Sequence, residues 1–159
     1  CQSQAGAGMF EVIITALVVM LGIVGAVTLQ TKSIRITHSA YMRSIAAYKA
    51  NEIADRIRAN STGALAGAYD SITAIPQDPP DCTSTICTPA QLAIYDAAVW
   101  NTSLSDELPQ GIGHVTGDGG SSPFTIRVFW DDTREGLTGK GCNPNNTSDM
   151  TCYELSLRL

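Results

Sequence analysis

From Val12 to Thr31 the chain runs through 20 residues without a charge, nearly all of them apolar. A helix of that length, rising about 1.5 Å per residue, covers the roughly 30 Å hydrocarbon core of a bilayer, so the segment reads as a membrane helix. A cleaved secretory signal is the rival reading, but its apolar region is about 7–15 residues long and ends at a small-x-small site. Here the pattern continues. Residues 32–60, "KSIRITHSAYMRSIAAYKANEIADRIRAN", contain neither Pro nor Gly, and Met42, Ala46, Ile53 and Ile57 fall on one helical face. Glu52 and Arg56 are placed to pair at i and i+4. The two stretches predict one helix of about 50 residues, half in lipid and half outside it, with a left-handed stop expected at "NSTG", Asn60 to Gly63.

The remainder must cover the outer apolar stripe of that helix. Residues 63–87 read as a loop-rich region, because the prolines of "PQDPPDCTSTIC" cannot continue a helix. "TPAQLAIYDAAVWNTSLSDEL" reads as a second helix: Thr88 is a good N-cap, Pro89 suits the first helical position and Gln91 completes a capping box. Its buried face is expected at Leu92, Tyr95 and Val99. Pro109 and the glycines from Gly111 to Gly120 then form a loop holding His114, with a weaker strand signal at 112–116. "FTIRVFW" (124–130) and "YELSLRL" (153–159) alternate apolar with polar residues, as half-buried antiparallel strands do. The fold class is α+β.

A formal charge of −5 argues against a nucleic-acid binder. Arg35, Arg43, Lys49, Arg56 and Arg58 lie close in sequence, yet Glu52 and Asp55 sit among them, so they read as a solvated face. Five cysteines in such a chain suggest an oxidising compartment. Setting Cys1 apart, the other four allow three pairings. The local one, Cys82 with Cys87 and Cys142 with Cys152, is favoured because each closes a short loop. A zinc site is the alternative, but His38 and His114 are not at ligand spacing to any cysteine pair. "GDGG" (117–120) and the Asp131–Asp132 pair lack the spaced oxygen ligands of a calcium loop and read as turns. No catalytic constellation, metal or cofactor is expected. Asn60, Asn101 and Asn146 match N-x-S/T, too short a pattern to imply glycosylation. Trp100 and Trp130 read as core.

Glu11, just before the apolar run, is a charge where lipid disfavours one. It is either an interfacial carboxylate complementing the helix dipole or one neutralised by a partner. Cutting after Gly6 would give Ala7 a free α-amine, and the ammonium of a neighbouring subunit could serve.

Gly6 followed by "AGMFEVIITALVVMLGIVG" resembles the class III signal of type IV pilins: a glycine, a cleavage site, glutamate as fifth mature residue, then an apolar helix. "HSAYMRSIAAYKANEIADRIRANS", "CTSTICTPAQLAIYDAAVW", "FTIRVFWDD" and "YELSLRL" extend the likeness to the PilV family of minor pilins over nearly the whole chain. The resemblance implies a type IV pilin fold: residues 1–6 as a cleaved leader, 7–31 as the transmembrane half of a long helix, 32–62 as its amphipathic half, and 63–159 as a periplasmic domain with a small antiparallel sheet and disulfide-stabilised loops. It implies that a prepilin peptidase cuts between Gly6 and Ala7 and N-methylates Ala7, and that Glu11 directs docking. The implied partners are other minor pilins, the major pilin, a pilus-tip adhesin and the bacterial inner membrane, with the pilus as final location. "CQSQA" lacks the basic residues of a prepilin leader, which leaves the natural start open, and Ala7 is not the usual Phe or Met. Cutting after Gly8 instead would make Glu11 third. A type II secretion pseudopilin and a single-pass anchored binding domain are the alternatives.

Overall fold

The computed structural model describes residues 8–118 and 123–159. The element order is α1 (Met9–Ala59), α2 (Ser61–Leu65), β1 (Ser71–Ile72), α3 (Pro89–Glu107), β2 (Ile112–Thr116), β3 (Phe124–Trp130) and β4 (Thr151–Leu157). The chain divides into two compact units, one up to Ala40 and one from Tyr41 to Leu159.

In the first unit, α1 holds its helical pattern without a proline, with Glu11 in the first turn where the dipole favours a negative charge. Its threonines would carry unsatisfied hydroxyls in an apolar setting, but each donates to a carbonyl of its own helix. Thr15 bonds the Val12 oxygen at 2.9 Å, Thr28 that of Val24 at 2.9 Å and Thr31 that of Val27 at 3.0 Å.

The second unit, the body, begins with the last turns of α1, whose buried face is Met42, Ala46, Lys49, Ala50, Ile53, Ala54 and Ile57. The stripe expected at Met42, Ala46, Ile53 and Ile57 is therefore present. Arg56 and Arg58 close the helix at its negative end. The expected stop at Asn60–Gly63 is not a left-handed cap. Asn60 instead N-caps α2 by accepting from the Gly63 amide at 3.3 Å, and Gly63 is helical, because a carboxamide at that position satisfies a new helix start as well as it ends an old one. The loop-rich stretch 63–87 accordingly contains the end of α2 and the whole of β1.

The sheet is antiparallel throughout, in the order β1-β2-β3-β4. The 112–116 strand signal is realised as β2, which places His114 in a strand and not in a glycine loop. β4 runs from Thr151, two residues earlier than its alternation suggests, because Trp130 pairs with Thr151 and Phe129 with Cys152, so the whole of β3 is matched. One sheet face sends Val115, Ile126, Val128, Trp130 and Leu157 into a core shared with α1, α3 and Tyr69. Trp100 and Trp130 are fully buried in that core.

α3 begins with the expected capping box: the Thr88 hydroxyl accepts from the Gln91 amide at 3.3 Å, and the Gln91 side chain accepts from the Thr88 amide at 2.9 Å. Its buried face differs from the expected one. Ala93, Ala97, Trp100 and Leu104 line it, with Asp96 and Asn101, whereas Leu92, Tyr95 and Val99 are only half-buried. The large indole of Trp100 decides the helix's rotation. Gly113 answers it on β2, since a Cβ there would strike the Trp100 ring.

Candidate assembly surface and the polar clamp of the body

In the first unit, consecutive residues Val12, Ile13 and Ile14, and then Val18, Val19, Met20 and Leu21, are all exposed. Successive helical residues point about 100° apart, so the helix is apolar on every side. A water-facing surface does not hold that much contiguous apolar area; a helix apolar all round belongs in lipid or among other helices. By length and composition, α1 is able to cross a membrane.

Glu11 stands at one end of this surface, with its amide donating to the Gly8 carbonyl at 2.9 Å. Among the described residues no cation pairs with it. Gly6 and Ala7, the expected processing junction and methylation site, lie outside the described residues, as do Cys1, Gly119 and Gly120.

The body is held by a polar clamp between α1 and α3 that spacing did not reveal. Arg56 bridges Glu52 (Nη2 to Oε1, 3.0 Å), the expected i,i+4 pair, and Asp96 (Nη1 to Oδ1, 3.0 Å). The Tyr69 hydroxyl donates to the other Asp96 oxygen at 2.6 Å, and the Asn60 amide donates both to Tyr69 Oη at 3.0 Å and to the Pro89 carbonyl at 2.7 Å. Burial opposes the charge on Arg56, but its two carboxylate partners outweigh that and raise its pKa. Burial, and then the bond to Asp96, push the Tyr69 pKa up as well, so the phenol remains a donor. Lys49, expected on a solvated face, is buried. Its ammonium meets Glu107 at 2.7 Å and Glu52 at 3.4 Å, and its backbone carbonyl accepts from the Trp100 indole at 2.8 Å. A long stem lets Lys49 bury its methylenes and still reach carboxylates at the rim. For Lys49 too, burial opposes the charge, and the bond to Glu107 leads the effects that raise its pKa above the ordinary value.

Two N-x-S/T asparagines have structural work. Asn60 is the cap just described, and the fully buried Asn101 accepts from the Gly113 amide at 2.7 Å. Asp131, read from sequence as a turn residue, is fully buried and accepts from the amides of Gly136 (2.7 Å) and Leu137 (3.2 Å). Burial raises its pKa, but these bonds together outweigh burial and hold it below the usual carboxylate value. Cys82 is bonded to Cys87, and Cys142 to Cys152. Just before the first bridge, exposed Asp81 is held at a pKa of about 2 by the hydroxyls of Ser84 and Thr83 and the Thr83 amide. His38 is exposed, and His114 lies edge-on to Phe129 with ring centroids 5.0 Å apart. No group of three or more His, Cys, Asp or Glu side chains able to hold a metal ion occurs among the described residues.

No curated protein and no solved structure matches the chain. A family model described as Tt1218-like, type IV pilin Tt1218, matches residues 28–98, a span running from the last turn of the apolar run to the middle of α3. Over that span the chain is similar to type IV pilins, and its long N-terminal helix packed on a four-stranded antiparallel sheet, with two disulfides, fits the type IV pilin fold.

Proposed function

We propose that this chain is a membrane-anchored minor pilin of the PilV kind, which joins other minor pilins in a complex that primes pilus assembly and sits at the pilus tip. The observation that carries the reading is one carboxylate, Glu11, in the first turn of a helix that is apolar and exposed on every side. The type IV pilin match over residues 28–98 supports it. In this reading the helix anchors the subunit in the inner membrane with the body in the periplasm. A prepilin peptidase cuts between Gly6 and Ala7 and methylates the Ala7 amine. Glu11 then meets the ammonium of a neighbouring minor pilin, a pairing strengthened by the low dielectric between apolar helices. The major pilin extends the fibre behind the complex, and a tip adhesin is a further partner. The chain works by assembly and not by catalysis.

Glu11→Ala tests the docking role. The substitution removes a charge that lipid penalises, so membrane abundance is expected to be unchanged or higher. Co-purification of the other minor pilins and surface piliation are expected to fall. Unchanged co-purification and piliation would show that Glu11 is only an interfacial charge. Mass spectrometry of the mature amino terminus, expected at N-methylated Ala7, checks the processing independently.

A further inference from the structure

The first charges after the apolar run are Lys32 and Arg35, and they begin a marked segregation. From Val12 to Asn51 the chain carries Lys32, Arg35, Arg43 and Lys49 and no carboxylate, which leaves six Lys and Arg against fourteen Asp and Glu from Glu52 onward. Lys32 and Arg35 are exposed, stand at i and i+3 on one side of α1, and have no carboxylate partner among the described residues. In the body, four of the eight Lys and Arg, namely Lys49, Arg56, Arg58 and Arg127, are paired with carboxylates.

We propose that Lys32 and Arg35 form a collar that binds anionic phospholipid headgroups in the leaflet bordering the C-terminal end of the apolar run. The inference rests on that run spanning the bilayer. Lys32 directly follows Thr31, the last residue of the uncharged run, so both cations lie at headgroup height, where long basic side chains extend from the helix to the phosphates. Charge complementarity selects anionic lipid over zwitterionic lipid. The acidic body of another subunit is the competing occupant, but the adjoining apolar run places headgroups beside these two residues before any assembly occurs. The flank is also the one that leads to a disulfide-bearing body, on the side of the membrane where basic residues are disfavoured. Cations held there against that bias have a compensating partner in the lipid.

A cation near an anionic surface favours association by about fivefold. The test uses the full chain reconstituted in phosphatidylcholine bilayers, with spin-labelled phosphatidylglycerol and phosphatidylcholine as probes. The expected relative association constant is about fivefold in favour of phosphatidylglycerol. It should fall close to one in the double variant Lys32→Gln, Arg35→Gln, and in about 1 M salt, where the Debye length is about 3 Å. Arg58→Gln, which removes a paired cation of the body, is expected to leave the preference unchanged. Alkaline carbonate extraction distinguishes the two levels of failure. Release of the chain would overturn the span and the collar together. Retention without lipid preference, or with a preference that survives the double variant, would overturn the collar alone. Loss of co-purifying acidic subunits in the double variant, with lipid preference intact, would assign the cations to a protein partner.

Discussion

The apolar half of α1 and the body use the same residue types to opposite ends. In the first unit Ile, Val and Leu are exposed on every side and make no core; in the body Ile53, Ile57, Leu104, Val115, Ile126 and Val128 are fully buried in one core with Trp100 and Trp130. Polar groups differ in parallel. The threonine hydroxyls of the apolar helix are satisfied within their own helix, on nearby carbonyls, whereas the body adds to such local bonds others that bridge elements far apart in sequence, as Arg56 and Asp96 do. A segment that is internally satisfied and externally apolar is complete only in a matching solvent; one whose polar groups cross-link its elements is complete by itself. The two halves should therefore respond separately to substitution.

The largest separation is expected from Trp100→Ala, which opens a cavity between α1, α3 and β2 and removes the bond to the Lys49 carbonyl. A loss of about 3–5 kcal/mol is expected in the denaturant unfolding of the body, followed by Trp130 fluorescence, with membrane retention unaffected. A parallel fall in membrane retention would mean that the two regions are not independent. The reciprocal change is Leu21→Arg. On a water-facing helix it would be nearly neutral, but at mid-span it should cost about 2.5–3.5 kcal/mol of insertion. The fraction resisting carbonate extraction should drop while the unfolding midpoint of the body stays fixed.

Smaller effects sharpen the description of the body. Replacing Cys142 and Cys152 with Ser opens a loop with a sequence separation of 10, and a loss of about 2–3 kcal/mol is expected from the freedom returned to the unfolded chain. The same change at Cys82 and Cys87, with a separation of 5, should cost about half a kcal/mol less. Equal losses would point to native-state contacts and not to chain entropy. The smallest effect is a pH slope. Burial first, and then Lys140, hold the His114 pKa below its ordinary value of 6.5; the Thr73 backbone opposes them, and Arg127 adds the smallest lowering effect. The unfolded chain thus binds the proton first, so the stability from neutral His114 is full above pH 6.5 and is lost as pH falls from there through the folded pKa. His114→Gln should flatten the part of the profile that lies below about pH 6.5, and an unchanged slope would place its origin elsewhere.

How legible each part was in the sequence follows from the range of the interactions involved. The apolar run, the Met42-to-Ile57 stripe, the Thr88–Gln91 box and the alternation of β3 depend on neighbours within a turn or a strand, so spacing exposes them. Asp96, Tyr69, Asn60 and Arg56 do not announce a clamp, because Asp96 lies 40 residues from Arg56 and 27 from Tyr69. Lys49 was misread for a related reason: a lysine among other charges looks solvated unless Glu107, on another helix, is known to face it. The face of α3 was misplaced because Ala93 and Ala97 weigh little beside Leu92 and Tyr95 in an apolar pattern, yet the helix turns to accommodate Trp100. At the candidate site Glu11 was conspicuous for its chemistry alone, as a charge against a long apolar run.

The threonine hydroxyls carry a consequence for how such helices find their alignment. Between Val12 and Leu29 the only polar side chains are Thr15 and Thr28, and both are already committed to their own helix. The surface between those positions therefore offers a like helix no hydrogen-bonding side chain by which to distinguish one axial offset from the next. A slide of one turn, about 5.4 Å, changes side-chain size at some positions, as between Val18 and Gly22, but changes no polar contact between Thr15 and Thr28. The nearest charge on the N-terminal side is Glu11, so in the assembly proposed above it is the contact made by Glu11, and not one made along the apolar stretch, that would end a lengthwise slide.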